Sequence, residues 1–431
     1  MILWAYQIMY PLVAVGVLFH LIFSGRGKIL NEGRADILER LGLPSREAVA
    51  GLAGGRVLWL HAASVGEVIA AGPIIKQITS SRPDLRLLLT TSTVAGRSRG
   101  KSIPEVTACV LLPIDFYPAI AAFLRRIRPN ALLLVEKEFW PMMLKAVTNR
   151  MIPCGIVNGR ITAKSAKRYA LLSGIFRPLL GKIDRAAVQT DEDKSRFIAL
   201  GIRESAVAVT GNSKYDTPKT SPEAQKKIKE RLAALGWDDA VVFVAGSTRK
   251  GEEEIILEAF LSVNRKDPRL KLILAPRHLE RIDEVASVLR GKGVRFLPWS
   301  EPLQSESAPD CVLLDEMGLL ADIYSIGSFA FVGGTLVPVG GHNLLEPAFS
   351  GVPVLFGPYT DHTRVVASAL LKSGGGLAVT NSQDVSAVLL RMMTDASFLD
   401  SAGKSARITA QSFIGAAQRT LSHLAPLISP N

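Results

Sequence analysis

What most restricts this chain is a repeated pattern of short, uninterrupted apolar runs, each separated from the next by a stretch with helical periodicity. A first series reads RVLWLHA (56–62), RLLLTT (86–91), ACVLLP (108–113), ALLLVE (131–136), PCGIVN (153–158) and RAAVQ (185–189). A second reads VVFVAG (241–246), KLILAP (271–276), CVLLD (311–315), SFAFVGG (328–334), VPVLFG (352–357) and GLAVT (376–380). A strand with one wet face alternates polar and apolar residues. A strand that is apolar throughout must be covered on both faces, as inside a parallel sheet flanked by helices. Two such series predict an α/β protein with two doubly wound, Rossmann-like domains. The length agrees, because 431 residues exceed the ~250–300 at which a single core stops growing. The polar stretch 216–240, containing TPKTSPEAQKKIKE, is the expected linker between a domain over 26–215 and one over 241–431.

Residues 1–25 form the other unusual segment, with no Asp, Glu, Lys or Arg. As a helix, MILWAYQIMYPLVAVGVLFHLIF would be long enough to cross a ~30 Å hydrocarbon layer. Basic residues follow it at Arg26, Lys28 and Arg34, and Trp4, Tyr6 and Tyr10 lie toward its other end. A membrane anchor helix over 1–25 is the expectation, with the body of the protein on the cytoplasmic side. Pro11 and Gly16 leave a partly embedded anchor open, and a buried core helix is the plain alternative.

Charge is unevenly spread. The net charge is +12, yet residues 1–215 hold 29 Lys and Arg against 15 Asp and Glu, and the remainder holds 22 against 24. All of the positive excess therefore lies in the first half. That balance fits either an anionic partner for this half or an ordinary basic surface. Three scattered cysteines, Cys109, Cys154 and Cys311, argue against a disulfide framework and against a cysteine-based zinc site.

In open α/β sheets ligands bind beyond the carboxyl ends of strands, so chemistry should follow the apolar runs directly. HAASVGEV (61–68) brings small residues and then Glu67 at a helix start, where it serves as a helix cap or as a general base. VEKEFWP (135–141) places Glu136 and Glu138 two apart at a strand end, on one side if the chain is extended there. One of them is suited to offset positive charge on a reacting sugar carbon. GNSKYD (211–216), after the run AVAVT, places Lys214 near the expected domain junction, suited to phosphate or carboxylate. In the second half, AGSTRKGEEE (245–254) is a turn suited to phosphate, although its glutamates also suit a helix dipole. Arg277 of LAPRH follows a strand directly. FVGGTLVPVGGHNLLEPAFSGVPVLFGP (331–358) combines glycine pairs with a helix start at His342-Asn343 and a carboxylate at Glu346, as a nucleotide site needs. The six histidines show no metal spacing, and there is no Walker A or G-x-S-x-G sequence. Asp191-Glu192-Asp193 matches D-x-D but opens a helix after Thr190, so capping explains it better and no metal is expected.

Taken in order, HAASVGE, VEKEFWP, GNSKYD, AGSTRKGEEE, APRHLER, DEMGLLADIY and GGTLVPVGGHNLLEPA resemble the 3-deoxy-D-manno-octulosonic acid (Kdo) transferases of lipopolysaccharide synthesis, over nearly the whole chain. The resemblance implies a GT-B fold: two Rossmann-like domains facing a cleft, an N-terminal membrane anchor and a last helix that crosses back to the first domain. It also implies inverting transfer of Kdo from CMP-Kdo to the lipid A precursor (lipid IVA) at the cytoplasmic face of the inner membrane. By the same resemblance Glu67 is the catalytic base, and Glu136 and Lys214 are stabilising residues. CMP contacts fall on Pro276 and Arg277, on Met317, Gly318 and Leu319, and on Asn343, Leu344, Leu345 and Glu346. CMP-Kdo is then a substrate, and neither a cofactor nor a metal is implied. The other partners are the lipid A precursor and an anionic membrane surface, not nucleic acid. The chain departs from the family pattern at Lys137, usually Thr, at Arg249 and Lys250, usually His and Glu, and at Leu344, usually Pro.

Overall fold

In the computed structural model the described residues are Tyr6, 33–216, 220–302 and 308–429. Apart from Tyr6, the anchor expected over 1–25 lies outside them. Among the described residues no helix is long and apolar enough to cross a membrane. The chain divides into two compact units, one of Met1–Thr217 with Ile414–Asn431 and one of Pro218–Phe413.

All twelve apolar runs become strands. The first unit contains β1 (Arg56–His61), β2 (Leu85–Thr91), β3 (Ala108–Leu111), β4 (Ala131–Val135), β5 (Cys154–Gly159), β6 (Arg185–Val188) and β7 (Val207–Val209). They form one sheet of order β3-β2-β1-β4-β5-β6-β7, and every pairing is parallel. Alternate side chains point to opposite faces. On one face Val57, Trp59, Leu132, Leu134 and Ile156 pack with Ile120, Phe123, Met143 and Phe197. On the other Leu58, Leu60, Leu133 and Val135 meet Val68, Ala71 and Ile75 of the helix Val65–Ser81, and Leu424 and Leu427 of the helix Ala416–Ile428. Both faces are filled, which is why the runs carry no polar alternation. The helix Ala416–Ile428 is seated on this sheet by Asp216, whose carboxylate accepts from the amides of Gly415 (2.8 Å), Ala416 (3.2 Å) and Ala417. Tyr6 Oη donates to Asp115 Oδ2 (2.9 Å), and the same carboxylate accepts from the amides of Met142 and Met143 at the start of the helix Pro141–Thr148.

The second unit holds β8 (Val241–Thr248), β9 (Leu270–Pro276), β10 (Phe296–Pro298), β11 (Cys311–Leu313), β12 (Phe329–Val332), β13 (Val354–Phe356) and β14 (Gly376–Ala378), in the parallel order β10-β11-β9-β8-β12-β13-β14. β10 is absent from the apolar runs because it is a three-residue edge strand, half-buried and ending in proline. Within 216–240 the chain forms the helix Pro222–Ala234, whose Ile228 and Leu232 are buried, so much of that stretch belongs to the body of this unit. The three cysteines are buried and unpaired.

In each sheet the chain crosses from one half to the other at one place, between β1 and β4 and between β8 and β12, with β11 inserted between β9 and the edge strand β10 in the second sheet. There the connecting helices leave toward opposite faces, and the carboxyl edge opens for a ligand. Register aligns the strand ends at these points, with His61 opposite Leu134 and Val332 opposite Gly246.

Candidate active site

The first unit assembles a carboxylate cluster at its switch point. β1 ends at His61, and Ser64 caps the helix Val65–Ser81, its Oγ accepting from Glu67 N. The Glu67 carboxylate turns back over this start. Its Oε2 accepts from Ala63 N at 2.8 Å and its Oε1 from Ser64 Oγ at 3.3 Å. Capping is therefore realised in the geometry. Burial, the charge of Glu138 and that of Glu136 nevertheless push the Glu67 pKa up to about 7, against the pull of Ala63 N–H and Ser64. His61 is fully buried, and burial holds its pKa down at about 4, so it is a neutral ring bonded through Nδ1 to Thr90.

β4 delivers Glu136 at the same height. The backbone is not extended there: Glu136 has φ +61°, a left-handed conformation uncommon for a residue with a side chain. The expectation that Glu136 and Glu138 share one side as an extended pair fails for this reason. The chain turns at Glu136, held by its amide bonded to Val157 O at 3.0 Å. Lys214 belongs to the first unit, in the turn Ser213–Asp216 after β7, and its Nζ lies 3.6 Å from Glu136 Oε1. Asn158, also at positive φ and buried at the end of β5, fixes that turn by accepting from Ser213 N at 3.1 Å. Sequence reasoning passed over Asn158, and its only signal was a polar residue closing an apolar run. Burial raises the pKa of Glu138 as well. Lys137 Nζ points elsewhere, donating to Ser165 Oγ at 3.3 Å.

In the second unit the other expected residues line the carboxyl edge of one sheet. Arg277 follows β9 directly; its amide donates to Thr248 O at 3.0 Å, and its side chain is exposed. Pro276 is buried beneath it. Met317, 67% exposed, and Gly318, at φ +93°, form an open turn after β11 with Leu319 half-buried behind. Asn343 organises the start of the helix Leu345–Phe349: its Oδ1 accepts from Leu345 N and its Nδ2 donates to Glu346 Oε1, both at 3.2 Å. Leu344 and Leu345 are fully buried. Their side chains are core, so they have only backbone to offer a ligand.

Arg249 joins this edge to two histidines. Its Nε donates to His342 Nε2 at 3.2 Å and its Nη1 bonds His278 Nε2. Burial, then the charges of Arg249 and Arg277, with His362 and His278 behind them, hold the His342 pKa down near 4. This is a strongly positive, partly desolvated patch suited to an anion. The neighbouring glutamates are structural. Glu252 is fully buried and accepts from the amides of Arg249 (2.9 Å), Gly334 (2.7 Å), Thr335 (3.0 Å) and Leu336 (2.8 Å). Glu253, also buried, pairs with Arg281 at 2.8 Å. Close approach explains Gly246, where a Cβ would collide with the Tyr324 hydroxyl. Asp193 is likewise occupied, accepting from Ile161 N and Thr190 Oγ1, so the D-x-D match is a helix cap. Among the described residues no group of acidic, histidine or cysteine side chains is arranged to hold a metal.

Two parallel sheets, each with polar residues at a switch point, form a two-unit α/β framework that opens to ligands at the carboxyl edges of its strands. The chain is similar in fold to the UDP-GlcNAc 2-epimerase of Neisseria meningitidis, with a TM-score of 0.59 over 86% of this chain and 100% of that one at 15% identity. Residues 35–217 match the family described as 3-Deoxy-D-manno-octulosonic-acid transferase (kdotransferase). The chain is 35% identical to the 3-deoxy-D-manno-octulosonic acid transferase of Haemophilus influenzae over 328 residues, 76% of each protein. It is 32% identical to that of Bordetella pertussis over 378 residues, covering 85% of this chain and 86% of the relative. The chain belongs to the 3-deoxy-D-manno-octulosonic acid transferase family and is a glycosyltransferase of that type.

Proposed function

We propose that this protein transfers Kdo from CMP-Kdo to a hydroxyl of lipid IVA, the lipid A precursor, in lipopolysaccharide synthesis, with inversion at the anomeric carbon. Glu67 carries the reading. A sugar hydroxyl is a weak nucleophile that must lose its proton as it attacks, and a base serves best with a pKa near the working pH. A half-buried carboxylate at about 7, beside two other carboxylates, has that property.

In a single displacement the acceptor oxygen bonds to the anomeric carbon, its proton passes to Glu67, and the bond from that carbon to the phosphate oxygen breaks, the electron pair leaving with CMP. Positive charge on the oxocarbenium-like carbon is offset by Glu136, whose carboxylate Lys214 holds in place. Negative charge on the departing phosphate is met by Arg277 and by the backbone at Asn343, with Arg249 adding positive potential. Pro276, Met317, Gly318 and Leu319 flank the base and sugar of CMP, and Glu346 accepts from ribose hydroxyls. The segment 1–25 anchors the chain at the cytoplasmic face of the inner membrane. The positive excess of residues 1–215 suits an anionic interface, where each nearby Lys or Arg adds ~1 kcal/mol.

The test is Glu67→Gln. Turnover with CMP-Kdo and a lipid acceptor should fall by roughly 10²–10⁴-fold while CMP-Kdo binding is retained. Near-normal turnover would remove Glu67 from the role, and equal competition by UDP sugars would remove CMP-Kdo as the donor.

A further inference from the structure

Two arginines stand side by side at the carboxyl edge of the second sheet, and among the described residues neither has a carboxylate partner. Thr248 of β8 pairs in register with Pro276 of β9, so Arg249 and Arg277 follow directly from neighbouring strand ends. The carboxylates nearby are engaged elsewhere. Glu252 accepts from four backbone amides, Glu253 pairs with Arg281, and Glu284 pairs with both Arg281 and Lys250. Arg249 is half-buried, and two imidazoles hold its side chain. Its Nε donates to His342 Nε2 at 3.2 Å, and its Nη1 bonds His278 Nε2. A ring nitrogen that accepts from a guanidinium carries no proton, so His342 orients the arginine without opposing or neutralising its charge. The Nη2 end of Arg249 has no protein partner among the described residues.

A partly desolvated guanidinium with no counter-ion is unfavourable until an anion pairs with it. In the reading above Arg277 meets the donor phosphate, which leaves Arg249 for a second anionic group. The proposed donor has one. An octulosonic acid is a 2-keto acid, so its anomeric carbon bears a carboxylate as well as the bond to the phosphate oxygen. The donor's two anionic groups therefore sit on one carbon, and adjacent strands, ~4.8 Å apart, deliver two cations at a comparable spacing. We infer that Arg249 binds the carboxylate of the activated sugar, so that this edge selects a nucleotide-linked sugar acid over a neutral nucleotide sugar. The planar fork of arginine matches a carboxylate, and His342 and His278 are positioning residues that fix its plane. This assignment rests on the CMP-Kdo reading and adds to it which group of the donor the second arginine reads.

The test compares CMP-Kdo with the methyl diester of CMP, which keeps the phosphodiester charge and lacks the carboxylate. Dissociation constants are measured on the full chain in detergent, without acceptor, for the native protein, Arg249→Gln and Arg249→Lys. Loss of a hydrogen bond to a charged group should weaken CMP-Kdo binding to Arg249→Gln by roughly 10–100-fold. The methyl diester should bind as before, which also shows that the variant is folded. Arg249→Lys keeps the charge without the fork, so its affinity for CMP-Kdo should lie between the other two, again with the diester unaffected. Equal losses for both ligands in Arg249→Lys and Arg249→Gln would assign the residue to the phosphate and overturn the inference. Native preference for CMP-Kdo that survives Arg249→Gln would overturn this inference alone. Native protein that binds UDP-GlcNAc as tightly as CMP-Kdo would instead overturn the donor reading, and this inference with it.

Discussion

Replacing Glu138 with glutamine should move the acid limb of kcat/KM to lower pH. Burial is the first cause that lifts the Glu67 pKa to about 7, the charge of Glu138 the second and that of Glu136 a smaller one. A base accepts a proton only when ionised, so with Glu67 in the proposed role the rate should rise with pH through its pKa in the free enzyme. With that value near 7, about half of the enzyme is competent at pH 7 and roughly one-tenth at pH 6. Glu138→Gln keeps the shape and removes the charge; burial stays, so the limb should move part of the way toward the ordinary carboxylate value. The ratio of the rate at pH 6 to the alkaline plateau should rise from roughly one-tenth, with a ceiling of about tenfold gain. Taking the ratio within each variant cancels any loss of plateau rate. The assay is initial CMP release from CMP-Kdo at subsaturating substrate, with a detergent-dispersed lipid acceptor. An unchanged ratio would refute charge repulsion as a cause, and a native limb near the ordinary carboxylate value would refute burial as well.

Three further outcomes are expected. Glu67→Gln should raise the Tm at pH 8 but not at pH 4, because the raised folded pKa makes this carboxyl favourable to folding below its ordinary value of 4.5 and progressively less so as pH climbs through about 7. Glu252→Ala leaves four amides of the second unit without their acceptor and should cost several kcal/mol, at ~1–3 kcal/mol per unpaired buried amide, with a smaller loss for Glu252→Gln; urea unfolding would measure both. Asp216→Ala uncaps the helix Ala416–Ile428 and should cost about 1–2 kcal/mol in the same assay, whereas an unchanged midpoint would show that the three amides find other acceptors.

Much of the fold was legible because burial on two faces leaves a strand no room for polar residues. RVLWL and ALLLV could be recognised without knowing what covers them. β10 escaped because an edge strand ending at Pro298 needs little cover and so leaves little apolar signal. Residues that follow strands, such as Glu67 and Arg277, were legible for the same reason. Met317-Gly318-Leu319 did not stand out from composition, since an exposed turn reads like any loop. Glu252 and Glu253 could be seen as dipole partners but not as the clamp on the Gly334–Leu336 amides and the partner of Arg281, because those contacts cross from one strand end to another.

The amino-acid order alone determined the strand-helix alternation, the two sheets and the set of polar residues at their carboxyl edges, since these depend on short-range periodicity and on residue type. Tertiary structure alone decided what those residues experience. It turned the chain at Glu136 into a left-handed conformation, set Lys214 beside it, buried Leu344 and Leu345, and lifted Glu67 to about 7 through burial and two neighbouring charges. A pKa is a property of everything within a few ångströms of a group, and those neighbours are distant in the chain.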